Sequence, residues 1–594
     1  VLPPDSRVTL LERLEPAPGY AVTHVVGTTY TLDLDSALLP SLALSRSASA
    51  GSADPLETIA AVQASIGKID IFHQRGMIGV PTTRSRLHTL LEPALHAVQH
   101  SSNFLFHPKL WLARYESETT GEVSLRLVVM SRNLARGRSW DVAITLDGTL
   151  VSTPSAKNKP LVDFLRFLTT AVQPGLPENR ASRILDLAEE IRWAEWDLPS
   201  GATDVNFHIF GVRSSRTSKP DFSGYKHLLV SPFLTDDGLA TLAEYSRGSV
   251  SVVSRQESFD ALSSDVAGWI SEPYVLSPTA GIPADDQDST GGPALSGLHA
   301  KLYCVERDKR AHLFIGSANA THRAFGGNVE ILVELTGKTA IFGVDAMLGK
   351  GGFRSILQST TIEPAGDAED DPQAVLDHQL HQLVFDVQLR AELTMDDDRY
   401  ALHLTSSDPI SVPPELSLAV SLLSVKASSL VADTDRIIDL QFSNLNLSDV
   451  TALFVLTVSD GGGRLSSAVV MAELINDVAE RMSSIVMQEI NTPDAFRRFL
   501  ALLLAFGAPR VAADGEDGED DASLTAGRWD ALENGLFEQM LRVSTSNAQV
   551  LEHLAGVVTS IIDNDDPNGV LPEGFRELWS AVYDPTQREA QIDA

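Results

Sequence analysis

The sequence predicts an α/β protein whose N-terminal part is a duplicated unit, followed by a β-rich and then a helical region. Three observations carry that prediction. A block of His-x-Lys, Ser-x-Asn and an acidic residue occurs twice in the same order. Strand-like and helix-like segments alternate through residues 20–200, and the alternation restarts near residue 205. Beyond the acidic residues 367–372 both patterning and charge change.

A chain of 594 residues exceeds one hydrophobic core, so three or four domains are expected. Hydrophobic content of 43% and charged content of 21% are those of a globular protein. The opening Val1-Leu2-Pro3-Pro4-Asp5 lacks a basic stretch followed by an apolar one, and the longest apolar run, residues 499–506, is too short to span a bilayer. Cys304 is the single cysteine, so no internal disulfide forms, and a reducing cytoplasm is the expected compartment. The net charge of −33 is unevenly spread. Residues 1–350 hold 38 acidic and 32 basic side chains, and residues 351–594 hold 41 and 14. The duplicated part is near neutral, so the overall acidity does not exclude a polyanionic substrate.

In chain order, residues 20–34 read as strand, 56–65 as helix, and 66–72 with 77–80 as a strand pair. Residues 85–100 show helical spacing of Leu87, Leu90, Leu91, Leu95 and Val98. Strands are expected at 104–115, 123–130 and 142–146, and residues 160–200 read as helical, with Leu161, Phe164, Leu165 and Phe167 on one face and a second helix around 181–193. The second round has strands at 205–212, 227–230 and 250–253 and a helix at 237–246. Residues 277–296 are a polar Gly/Pro-rich excursion, read either as a loop over the site or as an exposed insertion. Short alternating runs within 380–475 suggest a small β domain. Residues 490–590 read as helical, interrupted by the acidic stretch 514–521, expected to be a solvated loop. The expected domains are 1–200, 201–365, 375–480 and 485–594.

The repeated residues define a chemistry. The first copy is Phe106-His107-Pro108-Lys109-Leu110-Trp111, then Ser131-Arg132-Asn133, then Asp141. The second is Leu298-His299-Ala300-Lys301-Leu302-Tyr303, then Gly316-Ser317-Ala318-Asn319, then Glu330. On a strand, His and Lys two apart share a face. Two such strands brought together present two imidazoles and two ammonium groups to one phosphate. One imidazole can attack phosphorus and the other can supply a proton. Asparagine amides add donors, and a carboxylate fixes each imidazole's tautomer. His378 and His381 lack the partner spacing of a metal site and read as helix surface.

On these residues the chain resembles the phospholipase D superfamily, the His-Lys-Asp/Asn phosphodiesterases, over roughly residues 20–345. The second copy is the closer match, and the first is similar to the first half of tyrosyl-DNA phosphodiesterases. The resemblance implies a pseudo-dimer of two α/β halves, each a mixed sheet with helices on both faces. It implies no metal or cofactor and a covalent phosphohistidine, with His107 as nucleophile and His299 as acid, although the residues themselves do not separate those roles. It further implies that each carboxylate holds the opposite half's histidine, Glu330 on His107 and Asp141 on His299. Departures from the pattern are Arg114 and Glu306 five residues beyond the lysines, and Met130 where a glycine precedes the serine.

The resemblance implies a metal-independent phosphodiesterase, and nucleic acid, DNA ahead of RNA, is the expected substrate. Arg126, Arg132, Arg136 and Arg138 cluster around Asn133, with Arg84, Arg86, Arg213, Arg216 and Lys219 in the same region. Ser131, Arg132, Arg136, Arg138 and Trp111 are the expected substrate contacts, and Phe106 and Trp140 are further stacking candidates. A nuclease or DNA-end-processing enzyme of a bacterial defence or restriction-like system is the expected role. The alternatives are a non-catalytic nucleic-acid-binding scaffold and a phospholipid or small-phosphodiester hydrolase. The acidic C-terminal region is expected to dock a protein such as a helicase-like subunit, and to be removable without unfolding the catalytic part. No membrane attachment is expected.

Overall fold

The computed structural model describes residues 9–45, 55–100, 104–137, 139–212, 219–278, 280, 297–349, 352–363, 371–433, 435–507, 540, 548–563, 566, 569–571 and 575–582. Arg138, Arg213, Arg216, most of the 277–296 excursion and the acidic stretch 514–521 lie outside the described residues.

Two large sheets repeat one topology. In the first, the strands run in the spatial order Ala194–Trp196, Ala143–Leu150, Val123–Met130, Leu110–Ser117, Tyr20–Thr29, Ile69–Gln74, Leu95–Val98. In the second the order is Ala202–Phe210, Glu330–Lys338, Arg310–Gly316, Leu302–Arg307, Gly224–Val230, Ser246–Val253, Glu272–Leu276, Leu357–Ser359. Strand by strand, Tyr20–Thr29 and Gly224–Val230 each lie antiparallel to the strand that follows a motif lysine. Each also lies parallel to its other neighbour. The expected pseudo-dimer of α/β halves is therefore present.

One apolar core lies between the halves and draws on both sheets, with Leu112, Leu127 and Ile144 from the first and Leu302, Ile315 and Ile331 from the second. Backbone bonds also cross the junction. Ser139–Trp140 pairs in parallel with Gly297–Leu298, and His107 N–H donates to Val329 O at 2.9 Å.

Two local expectations need correction. The 85–100 segment is a 3-10 helix over Arg86–Ala94 followed by the strand Leu95–Val98. Pro93 removes a backbone donor, and the edge of the first sheet takes up the following residues. The strand expected over 104–115 begins only at Leu110. His107-Pro108-Lys109 precedes it, held by Thr28, whose hydroxyl donates to Pro108 O at 3.1 Å and accepts from Leu110 N–H at 3.0 Å.

The C-terminal region is not a detachable module. It contains a four-stranded sheet and a six-stranded one, and the latter incorporates Leu32–Asp33 and Ile78–Gly79 from the first half. Beyond them the helices Glu480–Glu489, Pro493–Gly507, Ala548–Asp563 and Phe575–Val582 share a core with the N-terminal helix Pro55–Ser65 and the outer face of the first sheet. The junction buries an ion pair, Arg481 to Glu92 at 2.8 Å. Glu92 also accepts from Thr451 Oγ1 at 2.6 Å and Ala452 N–H at 2.8 Å. Removing residues 371–594 is expected to give an insoluble first half, checked by expression and sedimentation of the truncated chain. Arg481→Ala strands the buried Glu92 carboxylate and is expected to cost about 3–5 kcal/mol, read as a lowered urea midpoint. An unchanged midpoint would show that the junction is dispensable.

Candidate active site

The two motif blocks meet where the halves join, and their hydrogen bonds are crossed. His107 Nδ1 lies 2.9 Å from Glu330 Oε2 of the second half. His299 Nδ1 lies 2.8 Å from Asp141 Oδ1 of the first. A carboxylate only accepts, so each Nδ1 carries the proton and each Nε2 keeps its lone pair. Both carboxylates are held by the motif serine of their own half. Ser131 Oγ donates to Asp141 Oδ1 at 3.0 Å and accepts from Val142 N–H at 3.0 Å. Ser317 Oγ donates to Glu330 Oε2 at 2.5 Å and accepts from Ile331 N–H at 3.0 Å. Ser139 adds a 2.7 Å bond to Asp141 Oδ2.

Two α/β halves that trade carboxylates for histidines in this way match the architecture the motifs implied. The fold is phospholipase D-like. No known family profile and no curated protein sequence matches the chain. Among solved structures it is similar to a mutant of the yeast tyrosyl-DNA phosphodiesterase, with a TM-score of 0.33 and 10% identity over 55% of this chain and 84% of that one. It is also similar to the phosphatidylserine synthase of Haemophilus influenzae, at 0.33 and 10% over 63% and 88%. A third likeness is to the polyphosphate kinase of Porphyromonas gingivalis, at 0.29 and 13% over 56% and 42%. At such scores these likenesses assign no substrate.

Electrostatics single out the lysines of this site. Lys109 and Lys301 are fully buried. Lys109 Nζ donates to His107 O at 2.8 Å and Lys301 Nζ to His299 O at 2.7 Å. Neither ammonium makes an ion pair among the described residues, and each retains further donors. Burial pushes Lys301 down to about 7 against the pull of Asp141 and Glu330. Burial holds Lys109 well below its ordinary value, again against Glu330 and with Lys301 adding repulsion. Burial lowers His107 to about 4 despite Glu330, and lowers His299 despite its bond to Asp141. Burial alone would raise Asp141, but the hydrogen bond and charge of His299 outweigh it and the carboxylate lies below its usual value. The Oδ1 atoms of Asn133 and Asn319 are buried and meet no donor among the described residues, so both amides keep capacity for a ligand. Among the described residues no cluster of three His, Cys, Asp or Glu side chains has metal-holding geometry.

The expected substrate contacts fare differently. Trp111 is buried in the first half's outer core, its ring filling the space above Gly27, where a Cβ would come within 2.6 Å of it. It is a packing residue and not a stacking surface. Phe106 is likewise fully buried, and Trp140 packs on Phe353 with ring centroids 5.5 Å apart. Ser131 is fully buried and spends its hydroxyl on Asp141. Arg132 caps its own loop through Ala135 O and Gly137 O. Arg136 pairs with Asp35 at 2.7 Å, Arg126 with Asp147 and Arg86 with Asp449. The arginine block is largely internal wiring.

Several positioning residues escaped the sequence reading. Thr29 Oγ1 accepts Leu134 N–H at 2.9 Å and donates to Thr31 O at 2.7 Å. Ser231 Oγ accepts Ala320 N–H at 3.0 Å and donates to Phe233 O at 2.7 Å. Leu134 and Ala320 each follow a motif asparagine. Gln74 Oε1 accepts Phe106 N–H at 2.7 Å, whereas Arg255 Nη2 donates to Leu298 O at 3.0 Å. Phe106 and Leu298 each precede a motif histidine. A lone hydroxyl or amide at a strand end carries no signal, and only superposing the two halves exposes the pairing. Tyr30 has no counterpart in the second half, where Pro232 follows Ser231. Its ring lies 5.1 Å from that of His107.

Because free Lys301 titrates near 7, a bound anion that favours its charged form must draw in a proton above that pH. Sulfate affinity is expected to be greatest below about pH 7 and to fall by up to about tenfold per unit above it, measured by calorimetry. Lys301→Met should weaken the pH dependence centred near 7 and remove most of the affinity. Flat affinity between about pH 6 and pH 9 would contradict the assignment.

Proposed function

We propose that the chain is a phosphodiesterase working through a covalent phosphohistidine, and that its substrate is a nucleic acid. The observation that carries the catalytic reading is the pair of fully buried lysine amines that make no ion pair among the described residues, set beside two imidazoles whose Nδ1 atoms face carboxylates and leave Nε2 a lone pair. Two desolvated cations are costly to hold apart from an anion, and a phosphodiester supplies one.

The lone pair of His107 Nε2 forms the bond to phosphorus while the bond to the leaving oxygen breaks. His299 then gives its proton to that oxygen. Water attacks the phosphohistidine, His299 takes the water's proton, and the phosphorus–nitrogen bond breaks to release a phosphomonoester. Lys109, Lys301 and the two asparagine amides offset charge on the non-bridging oxygens. The side-chain exposures, 11% for His107 and 22% for His299, favour this division. The deeper imidazole is held neutral for attack, and the one nearer solvent exchanges protons with water. Substrate charge raises His299 from its lowered value toward the protonated form that an acid needs.

Turnover of bis-p-nitrophenyl phosphate in EDTA is expected, with kcat reduced at least about 1,000-fold in His107→Ala. A radiolabelled oligonucleotide should leave label on His299→Ala, whose intermediate lacks its base, and none on His107→Ala. Absence of turnover on this ester, on oligonucleotides and on short-chain phospholipid alike would favour a non-catalytic scaffold. Turnover confined to phospholipid would keep the mechanism and replace the substrate.

A further inference from the structure

Stacking by Trp111 is ruled out by its burial, yet an aromatic surface does flank the site, on the other half. Phe233 is 46% exposed, and the Arg255 guanidinium lies over its ring, 5.0 Å from the centroid. Both residues are wired to the second motif. Arg255 donates through Nε and Nη2 to the carbonyl of Leu298, the residue before His299, at 3.2 and 3.0 Å. The carbonyl of Phe233 is held by Ser231 Oγ, which also takes the N–H of Ala320, the residue after Asn319. Leu234 forms a β-bridge with Ala320. A large apolar ring is thus fixed at one remove from both His299 and Asn319, with a cation against it.

Only the second half carries this arrangement. Where the first half has Thr29-Tyr30-Thr31 and Gln74, the second has Ser231-Pro232-Phe233 and Arg255. The proline fixes one backbone angle of the turn that projects Phe233. Lys219 and Arg323 are exposed and make no ion pair among the described residues. Lys219 also lines a cavity of about 470 Å³ together with Phe210, Tyr245, Phe325 and His322. Phe210 is the ladder partner of Glu330, so one lining residue of this cavity sits one strand from the site.

We propose that Phe233, backed by Arg255, is a stacking platform for a nucleobase flanking the scissile phosphate on the His299 side. A base has a planar face to match the ring, and the guanidinium rigidifies the platform while adding positive charge beside the phosphate. An acyl chain has no such face. The proposal deepens the nucleic-acid reading of the same site and rests on it.

The test compares the p-nitrophenyl esters of thymidine 3′- and 5′-phosphate with methyl p-nitrophenyl phosphate, which has the same leaving group and no base. Phe233→Ala is expected to raise KM about tenfold for at least one thymidine ester, to leave the methyl ester unchanged, and to be rescued by Phe233→Trp. An equal loss on all three esters, or no loss on any, overturns the platform. If the wild-type chain turns over no phosphodiester, the catalytic reading has failed, and the platform is read from fluorescence anisotropy of a labelled oligothymidylate. About tenfold weaker binding in Phe233→Ala then supports it, and unchanged or absent wild-type binding overturns it.

Discussion

Everything in the duplicated part is arranged around two lysines that have been taken out of water and make no ion pair among the described residues. Lys109 and Lys301 are fully buried, and each repels the other's charged form or the neighbouring cations. The desolvation of an ammonium is worth several kcal/mol. The structure limits that cost by placing Glu330 and Asp141 one hydrogen bond away, on the histidines rather than on the lysines. Were the carboxylates to pair directly with the ammonium groups, the cations would be satisfied and the imidazoles left without orientation. Routing the negative charge through histidine keeps the lysines available and fixes both tautomers with the same two groups.

That routing makes the halves interdependent. Each histidine belongs to one half and its carboxylate to the other, so neither half holds a complete site. The apolar core shared between the sheets and the parallel pairing of Ser139–Trp140 with Gly297–Leu298 keep the crossed distances near 2.8–2.9 Å. A shift of about 1 Å between the halves would lengthen both bonds past useful hydrogen-bond range. Packing far from phosphorus therefore controls the tautomer at it.

The chemistry of the site was legible in the sequence because it demands particular residue types in a fixed order, twice. His107 and His299 meet Glu330 and Asp141 in the crossed pairing that the resemblance implied. The crossed pairing itself follows from the fold and not from spacing. Substrate contacts were far less legible. Whether an arginine is free depends on partners that sequence proximity does not reveal. Arg136 finds Asp35 at a separation of 101 residues, and Arg86 finds Asp449 at 363. Trp111 sits on a strand whose alternate residues face opposite cores, and its own face is closed partly by helices of the C-terminal region. Nothing local to residue 111 shows that those helices exist.

The same C-terminal packing accounts for the inequality of the halves. The β-rich part of the same region also takes up several of the first half's arginines. Arg84 bonds Ser421, Arg86 bonds Asp449, and Arg75 reaches Val387 O. The second sheet instead packs its outer face against its own short helices. There Phe233, Lys219 and Arg323 stay open to solvent. A symmetric pair of half-sites offers no preference for which side of a phosphodiester enters where. On the proposed phosphodiester reading, covering one half and leaving the other open would supply that preference.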